Sequence, residues 1–326
     1  MLTTSLTIKL LKLLRRMYGV LPLPSPAPIQ VDYSGQAGSD WIKKTLESDA
    51  PCLICRFGNV ELNATLRAYH RRRTSEYWGE KSWRYIQGKI LHFWWDQSAQ
   101  ESMQIDAGFF PATPEYLERF AERMLQDMPI IDILAFWEGK QDHYVRQIRH
   151  LLTQAKLVRF QDLEPYYHEH PWSEALAGKT VLVVHPFAET IQKQYQKREL
   201  LFANPKILPE FTLKTFKAVQ SIAGNDCGFP DWFAAFEWMC HEIAHFEFDI
   251  AIIGAGAYGL PLAAHVKRLG KKGIHLGGAT QILFGIRGKR WDDRPFFQQF
   301  FNDHWVRPDP KETPANFQLV EGGCYW

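Results

Sequence analysis

Phe248-Asp249-Ile-Ala-Ile-Ile253-Gly254-Ala-Gly256-Ala-Tyr258-Gly259, followed by a helical pattern and then Gly273-Ile-His275-Leu-Gly277-Gly278, is the stretch that decides the fold. An apolar run entering a glycine loop and then a helical pattern spells strand, turn and helix, the unit of parallel α/β sheets. Glycines let backbone approach a ligand and take dihedrals closed to other residues, and a helix N-terminus offers unpaired N–H groups and the positive end of its dipole. The unit therefore predicts a nucleotide or sugar phosphate, with Gly254, Gly256, Tyr258 and Gly259 along one wall of its site and His275, Gly277 and Gly278 along another. The same glycines also admit a purely structural reading, as tight turns and close packing of helix on sheet.

GxGxxG spacing fits a dinucleotide-binding loop, but that chemistry needs an acidic residue about 20 positions on to hold the ribose. No Asp or Glu occurs from Ala251 through Trp291, and His275 with a glycine pair stands where the acid belongs. NAD is therefore not expected.

Working outward, strand-like runs at 51–57, 130–136, 156–160, 180–185, 249–254 and 273–276 alternate with helical patterns. This predicts an α/β, Rossmann-like fold with a mostly parallel sheet and helices on both faces. An aromatic-rich helical insertion at about 62–128, containing Phe93-Trp94-Trp95, reads as a lid or subdomain, and the tail 292–326 as a wrap around the core. Residues 1–28 form a basic amphipathic helix and a Pro-rich linker (22–28), leaving 29–326 as the α/β domain. Leu6 to Tyr18, carrying Lys9, Lys12, Arg15 and Arg16, is too short and too charged to cross a bilayer. It reads either as a helix packed on the domain, or frayed, or as a peripheral membrane contact. No cleavage site follows it, so a cytoplasmic protein, at most peripheral at the inner face of the membrane, is expected.

A chain of 326 residues with 46% hydrophobic content buries a large core, and a net charge of +2 without long like-charge runs gives no reason to expect nucleic acid. Basic clusters such as Arg71-Arg72-Arg73 and Lys271-Lys272 read as solvated turns. Five cysteines at irregular spacing read as reduced thiols, and Cys52 and Cys55, inside an apolar run, as core residues. The twelve tryptophans suit a sugar-stacking cleft, though most are expected in the core.

Ligands of open parallel sheets bind beyond the carboxyl ends of the strands. In Arg56-Phe-Gly58-Asn59-Val-Glu61, Asn59 is a good helix N-cap and Glu61 complements the dipole, but no structural role accounts for Arg56, which is placed to meet a phosphate or a carboxylate. His185 opens a second loop, whose Glu189 and Lys193 are spaced as an i, i+4 surface pair, with Arg198 placed too far along to reach a ligand. His241-Glu242-Ile-Ala-His245 spells HExxH, but it leads straight into a strand and no third zinc ligand is evident, so polar residues on an amphipathic helix are the preferred reading.

With these loops in hand, the chain resembles the bacterial glycosyltransferases of the GT-D fold and their GT-D-like relatives from polysaccharide gene clusters, over most of its length after the linker. The resemblance is carried by Ile54-Cys-Arg56-Phe-Gly58-Asn59-Val-Glu61, Val181-Leu-Val-Val-His185-Pro-Phe187, Ile253 through Pro261 to His265-Val-Lys267, His275-Leu-Gly-Gly278 and Leu283-Phe-Gly285. It implies a nucleotide-sugar donor, a UDP-sugar foremost, a glycan or lipid-linked acceptor, and an Asp-x-Glu motif serving donor and divalent metal. Here Asn59 stands at the Asp position and Glu61 at the Glu. A neutral amide oxygen should weaken Mn²⁺ or Mg²⁺ binding, leaving Arg56 and basic residues near Arg290 to neutralise the diphosphate. A hexosyltransferase with Glu61 and Arg56 at its centre is the leading expectation. The alternatives are a non-catalytic nucleotide-sugar or glycan-binding protein of the same fold and, behind it, an NAD-dependent oxidoreductase.

Overall fold

Each of the six apolar runs becomes a strand, and a seventh strand joins them at one edge. The computed structural model describes residues 5–20, 27–72 and 77–326, so most of the Pro-rich linker and Arg73 lie outside the described residues. In chain order the elements are α1 (Ser5–Tyr18), α2 (Gln36–Glu47), β1 (Cys52–Arg56), α3 (Asn59–Arg72), α4 (Trp78–Ile86), α5 (Gln97–Ile105), α6 (Pro114–Asp127), β2 (Ile133–Phe136), α7 (Asp142–Ile148), β3 (Lys156–Arg159), β4 (Thr180–His185), α8 (Ala188–Tyr195), β5 (Thr212–Lys217), α9 (Trp232–Ala244), β6 (Ile250–Ile253), α10 (Gly259–Arg268), β7 (Lys272–His275), α11 (Ala279–Leu283), α12 (Lys289–Asp292) and α13 (Pro295–Gln298).

The sheet runs β3-β2-β1-β7-β6-β4-β5, and every pairing in it is parallel, where a mostly parallel sheet was expected. Central strands alternate between two cores. Leu53, Cys55, Leu182, Val184, Ala251 and Ile253 enter one, while Cys52, Ile54, Val181, Val183, Ile250 and Ile252 enter the other. Cys52 and Cys55 therefore face opposite sides of the sheet and cannot share a metal or form a redox pair. Burial pushes the Cys52 thiol up to about 12 and raises Cys55 as well.

The topology accounts for which helix lies on which face. Connections that step one way across the sheet (β1 to β2, β5 to β6, β6 to β7) place α3, α6, α9 and α10 on the first core, whereas those stepping the other way (β3 to β4, β4 to β5) place Trp172 and α8 on the second. A single hand of crossover requires this division. Between neighbours β4 and β6 the outgoing connections diverge, the kind of switch point that opens a crevice at the carboxyl edge.

The insertion comprises α3 to α6. Arg67 of α3, 7% exposed, holds it together by donating to Asn63 Oδ1 at 2.7 Å, the Trp94 carbonyl at 3.0 Å and Asp96 Oδ1 at 3.3 Å. Phe93 and Trp94 form a small core with Tyr85 and with Leu11 of α1, so the aromatic run is a packed subdomain. Arg71 and Arg72 end α3 helically instead of turning, and Arg72 pairs with Glu118 and Glu122. The i, i+4 pair expected on α8 is not made: Lys193 reaches Asp309 at 3.2 Å and Glu189 reaches Lys217 at 3.4 Å. HExxH lies on the last turn of α9 and just past it, with both histidines exposed at the amino edge of the sheet. His245 Nδ1 sits 2.8 Å from the His241 carbonyl, and among the described residues no group of three His, Cys, Asp or Glu could hold a metal.

Candidate functional site

All seven strands deliver residues to one cavity of about 390 Å³ at the carboxyl edge of the sheet. Arg56 ends β1, Trp137 follows β2, Glu164 follows β3, His185 ends β4, Ser221 follows β5, Gly256 follows β6 and His275 ends β7, and all line it. A volume in this range suits a small-molecule ligand.

Arg56 is held on two sides. Its Nη1 donates to Glu164 Oε1 at 3.3 Å, and its guanidinium lies 4.1 Å from the centre of the Phe160 ring, which stacks on Trp137 at 5.1 Å. Glu164 is buried, its carboxyl raised by desolvation against the opposing pull of Arg56, and it also accepts from the Tyr166 hydroxyl at 2.8 Å. No described residue accepts from Arg56 Nε or Nη2.

The first turn of α3 lines the cavity from Asn59 to Glu61. Gly58 precedes it because the Glu61 carboxyl folds back over that position, where a Cβ would collide with it. Burial raises the Glu61 carboxyl above its ordinary range, against its own backbone N–H and Arg56, while Asp106 and Glu321 add to the rise. Asp106, at the end of α5, is likewise raised, first by burial and then by Glu321. Asn59 is the first helical residue and not the N-cap: its Oδ1 accepts from buried Gln141 Nε2 at 2.7 Å, a bond that ties β1's loop to β2's. One lone pair of that oxygen is thus taken by Gln141, and among the described residues no group of three His, Cys, Asp or Glu is gathered that could hold a metal ion.

Most of the glycine loop serves packing. Gly254 is hemmed in by the Gly277 carbonyl, Thr280 Oγ1 and the His185 ring, Gly256 (φ +51°) by the Ala107 carbonyl, and Gly259 by the His275 ring. Gly254 N–H donates to Val184 at 3.0 Å and Ala257 N–H to Ala107 at 3.0 Å, so the loop is not an open phosphate cradle. Ala255 and Gly256 are different: they line the cavity, and their N–H groups have no described acceptor. Tyr258 touches the cavity wall, but its ring stacks on Trp232 at 4.9 Å in the core and its hydroxyl lies 3.3 Å from Ser221 Oγ. Gly277 (φ +62°) makes the turn after β7 beside Arg56, and Gly278 leaves room for the Tyr325 ring.

His185 and His275 are buried, and burial drives both imidazoles down to about 3, Arg56 adding to the effect at His275. Both are therefore neutral at physiological pH. Nδ1 of His185 accepts from the Phe187 N–H at 3.0 Å, so its proton sits on Nε2, for which no described residue is an acceptor.

Sequence reasoning missed most of the far wall. Arg290 lines the cavity as expected and is also tied to the tail, donating to the Tyr325 hydroxyl at 3.2 Å, to Glu321 and to Cys324 Sγ. The exposed Arg294 lines the cavity with no described partner for its guanidinium. Glu321, Tyr325 and Trp326 complete this wall, so the tail closes the cavity and does more than wrap the core. Arg294, Asp106, Gln141 and Glu321 carried no local motif; only the alternation of charge and aromatics in the tail hinted at a role.

Fold and cavity together define a doubly wound, parallel α/β protein with a ligand-sized crevice at the carboxyl edge of its sheet. Comparison with protein-family models, curated proteins and solved structures finds no match for this chain.

Proposed function

We propose that the protein is a glycosyltransferase that moves a hexose from a nucleotide-sugar donor, a UDP-sugar foremost, to the hydroxyl of a glycan or lipid-linked acceptor. The observation that carries this reading is the division of charge inside the cavity. Arg56, the exposed Arg294 and the start of α3 supply positive potential, while Glu61 and Asp106 place two desolvated carboxyls nearby. Trp137 and Phe160 stack on each other beside them, and Phe160 holds the Arg56 guanidinium in place.

In this reading the arginines and the free N–H groups of Ala255 and Gly256 hold the diphosphate. Glu61 takes the proton of the acceptor hydroxyl, whose oxygen forms the new bond to the anomeric carbon. The bond from that carbon to the phosphate oxygen breaks, and its electron pair leaves with the nucleoside diphosphate, steadied by the arginines. A carboxyl raised by burial is a stronger base than one in water, which suits this role once it is ionised. No step runs through a metal.

The test is a thermal-shift series with UDP-, GDP-, dTDP- and CMP-sugars and NAD(H), each with Mn²⁺ or EDTA, followed by an assay for released nucleoside diphosphate. Stabilisation by one nucleotide-sugar class together with turnover supports the proposal; stabilisation by NAD(H) alone, or by none of these ligands, overturns it. The commitment of Asn59 to Gln141 favours a second reading, a binding protein of the same fold, which predicts the same stabilisation without release of diphosphate.

A further inference from the structure

α1 has two apolar faces, and the fold uses one. Ile8, Leu11 and Tyr18 turn toward the insertion, where Leu11 is buried, Arg15 donates to the Ile90 carbonyl at 2.9 Å and Tyr18 meets Trp83 edge-on at 5.7 Å. On the opposite side Leu6, Leu10, Leu13 and Met17 are 79%, 54%, 54% and 62% exposed. These recur at i, i+4, i+7 and i+11, a continuous stripe along a helix about 21 Å long. Between the two faces run Lys9, Lys12 and Arg16, all exposed, and of these only Lys12 has a described ion-pair partner, Asp96 at 3.6 Å. Trp78 and Trp83 of α4, 46% and 52% exposed, belong to the insertion on which α1 packs, Trp83 meeting Tyr18 and Trp78 meeting Phe93.

We propose that this stripe is the surface by which the protein lies on an anionic lipid bilayer. Sequence periodicity left open whether the helix packs on the domain or meets a membrane; the structure shows one face packed and another uncovered. An apolar stripe bordered by cations matches a bilayer's own order of acyl chains and negative head groups. No helix among the described residues is long and apolar enough to cross a membrane, so the contact is one of lying on the surface. α5 links this surface to the cavity: its N-cap Asp96 pairs with Lys12, and Asp106, just past its other end, lines the cavity. If the transferase reading holds, α5, roughly 14 Å long, joins the α1 side of the molecule, where a lipid-linked acceptor would lie, to the cavity.

The test is flotation of the full chain, without donor, on phosphatidylcholine vesicles with and without phosphatidylglycerol, so its outcome is independent of transfer activity. The protein should float with the anionic vesicles. Leu10→Glu with Leu13→Glu should reduce bound protein about tenfold or more, and Lys9→Gln and Arg16→Gln about fivefold each. Leu200→Glu, at an exposed leucine away from α1, should bind as the parent does. Circular dichroism and melting should be unchanged in every variant. Failure to float with anionic vesicles, or flotation indifferent to the double substitution, overturns the proposal. So does self-association in lipid-free buffer that the double substitution abolishes, since a second copy would then cover the stripe.

Discussion

Arg56 leaves β1 between Glu164 and the ring of Phe160, so its loss has two separable consequences. Arg56→Ala strands the buried Glu164 carboxyl and should cost about 2 kcal/mol of stability in addition to donor binding. Arg294→Ala touches no described partner; its stability should stay within about 0.5 kcal/mol of the parent, while donor affinity falls roughly tenfold. Denaturant unfolding and calorimetric titration of the two variants check both statements, and equal affinities for parent and Arg294→Ala would remove Arg294 from the site. Glu61→Gln keeps the shape of the first turn but not the carboxylate proposed as base, so on the transferase proposal kcat should fall about 10²- to 10⁴-fold with donor affinity retained. Because burial raises the Glu61 carboxyl above its ordinary range, the proposed transfer activity of the parent should be lost as pH falls through that raised value, a limb absent from the residual activity of Glu61→Gln. Arg56 and Glu61 were legible in the sequence because strand ends and helix starts are local features. The bond from Gln141 to Asn59 was not, since it joins residues 82 positions apart.

At the scale of elements, the glycine loop marks strand, turn and helix correctly, yet its glycines mostly answer to neighbours that are remote in sequence. The His275 ring occupies the space a side chain at Gly259 would need, so Gly259→Ala should cost about 1 to 3 kcal/mol. Gly139→Ala is an unsuitable control because its φ is +76°; Gly79→Ala, with open space and no such dihedral, should be near neutral. Comparison of thermal midpoints decides it, and a silent Gly259→Ala would mean that the His275 ring moves aside freely. β5 escaped the sequence reading for a related reason. Thr-Leu-Lys-Thr-Phe-Lys is an edge strand that is nowhere fully buried, so it lacks the continuous apolar run of the central strands, and its lysines suit an unprotected edge.

For the whole molecule, pH acts through the site's buried groups. Unfolded histidines titrate near 6.5 but folded His185 and His275 near 3, so between these values the unfolded chain binds more protons and stability falls as the solution is acidified. Each contributes a slope of about 1.4 kcal/mol per pH unit once pH is below the unfolded value. The raised Glu61 and Glu164 carboxyls work in the opposite sense, giving stability at low pH that is lost as pH rises through their folded values. Urea midpoints across this range should therefore depend less steeply on pH in His275→Gln than in the parent. The tail acts at the same scale. Deleting 321–326 removes Glu321, Tyr325 and Trp326 from the cavity wall, and donor affinity should fall on the order of tenfold or more, while far-UV dichroism from the sheet and its helices stays.

The sequence by itself determined the parallel α/β architecture, the strand ends at which the cavity opens, and Arg56 and Glu61 within it, because hydrophobic period, glycine turns and helix starts are written in neighbouring residues. Only the tertiary structure decided that the glycine loop is largely filled by His275, Ala107 and Thr280, that Asn59 bonds Gln141, that Arg290 is bound to the tail while Arg294 has no partner among the described residues, and that α1 leaves a leucine stripe exposed. The reason is the same in each case: whether a polar group is free, or an apolar face covered, depends on which distant segment the crossovers bring beside it.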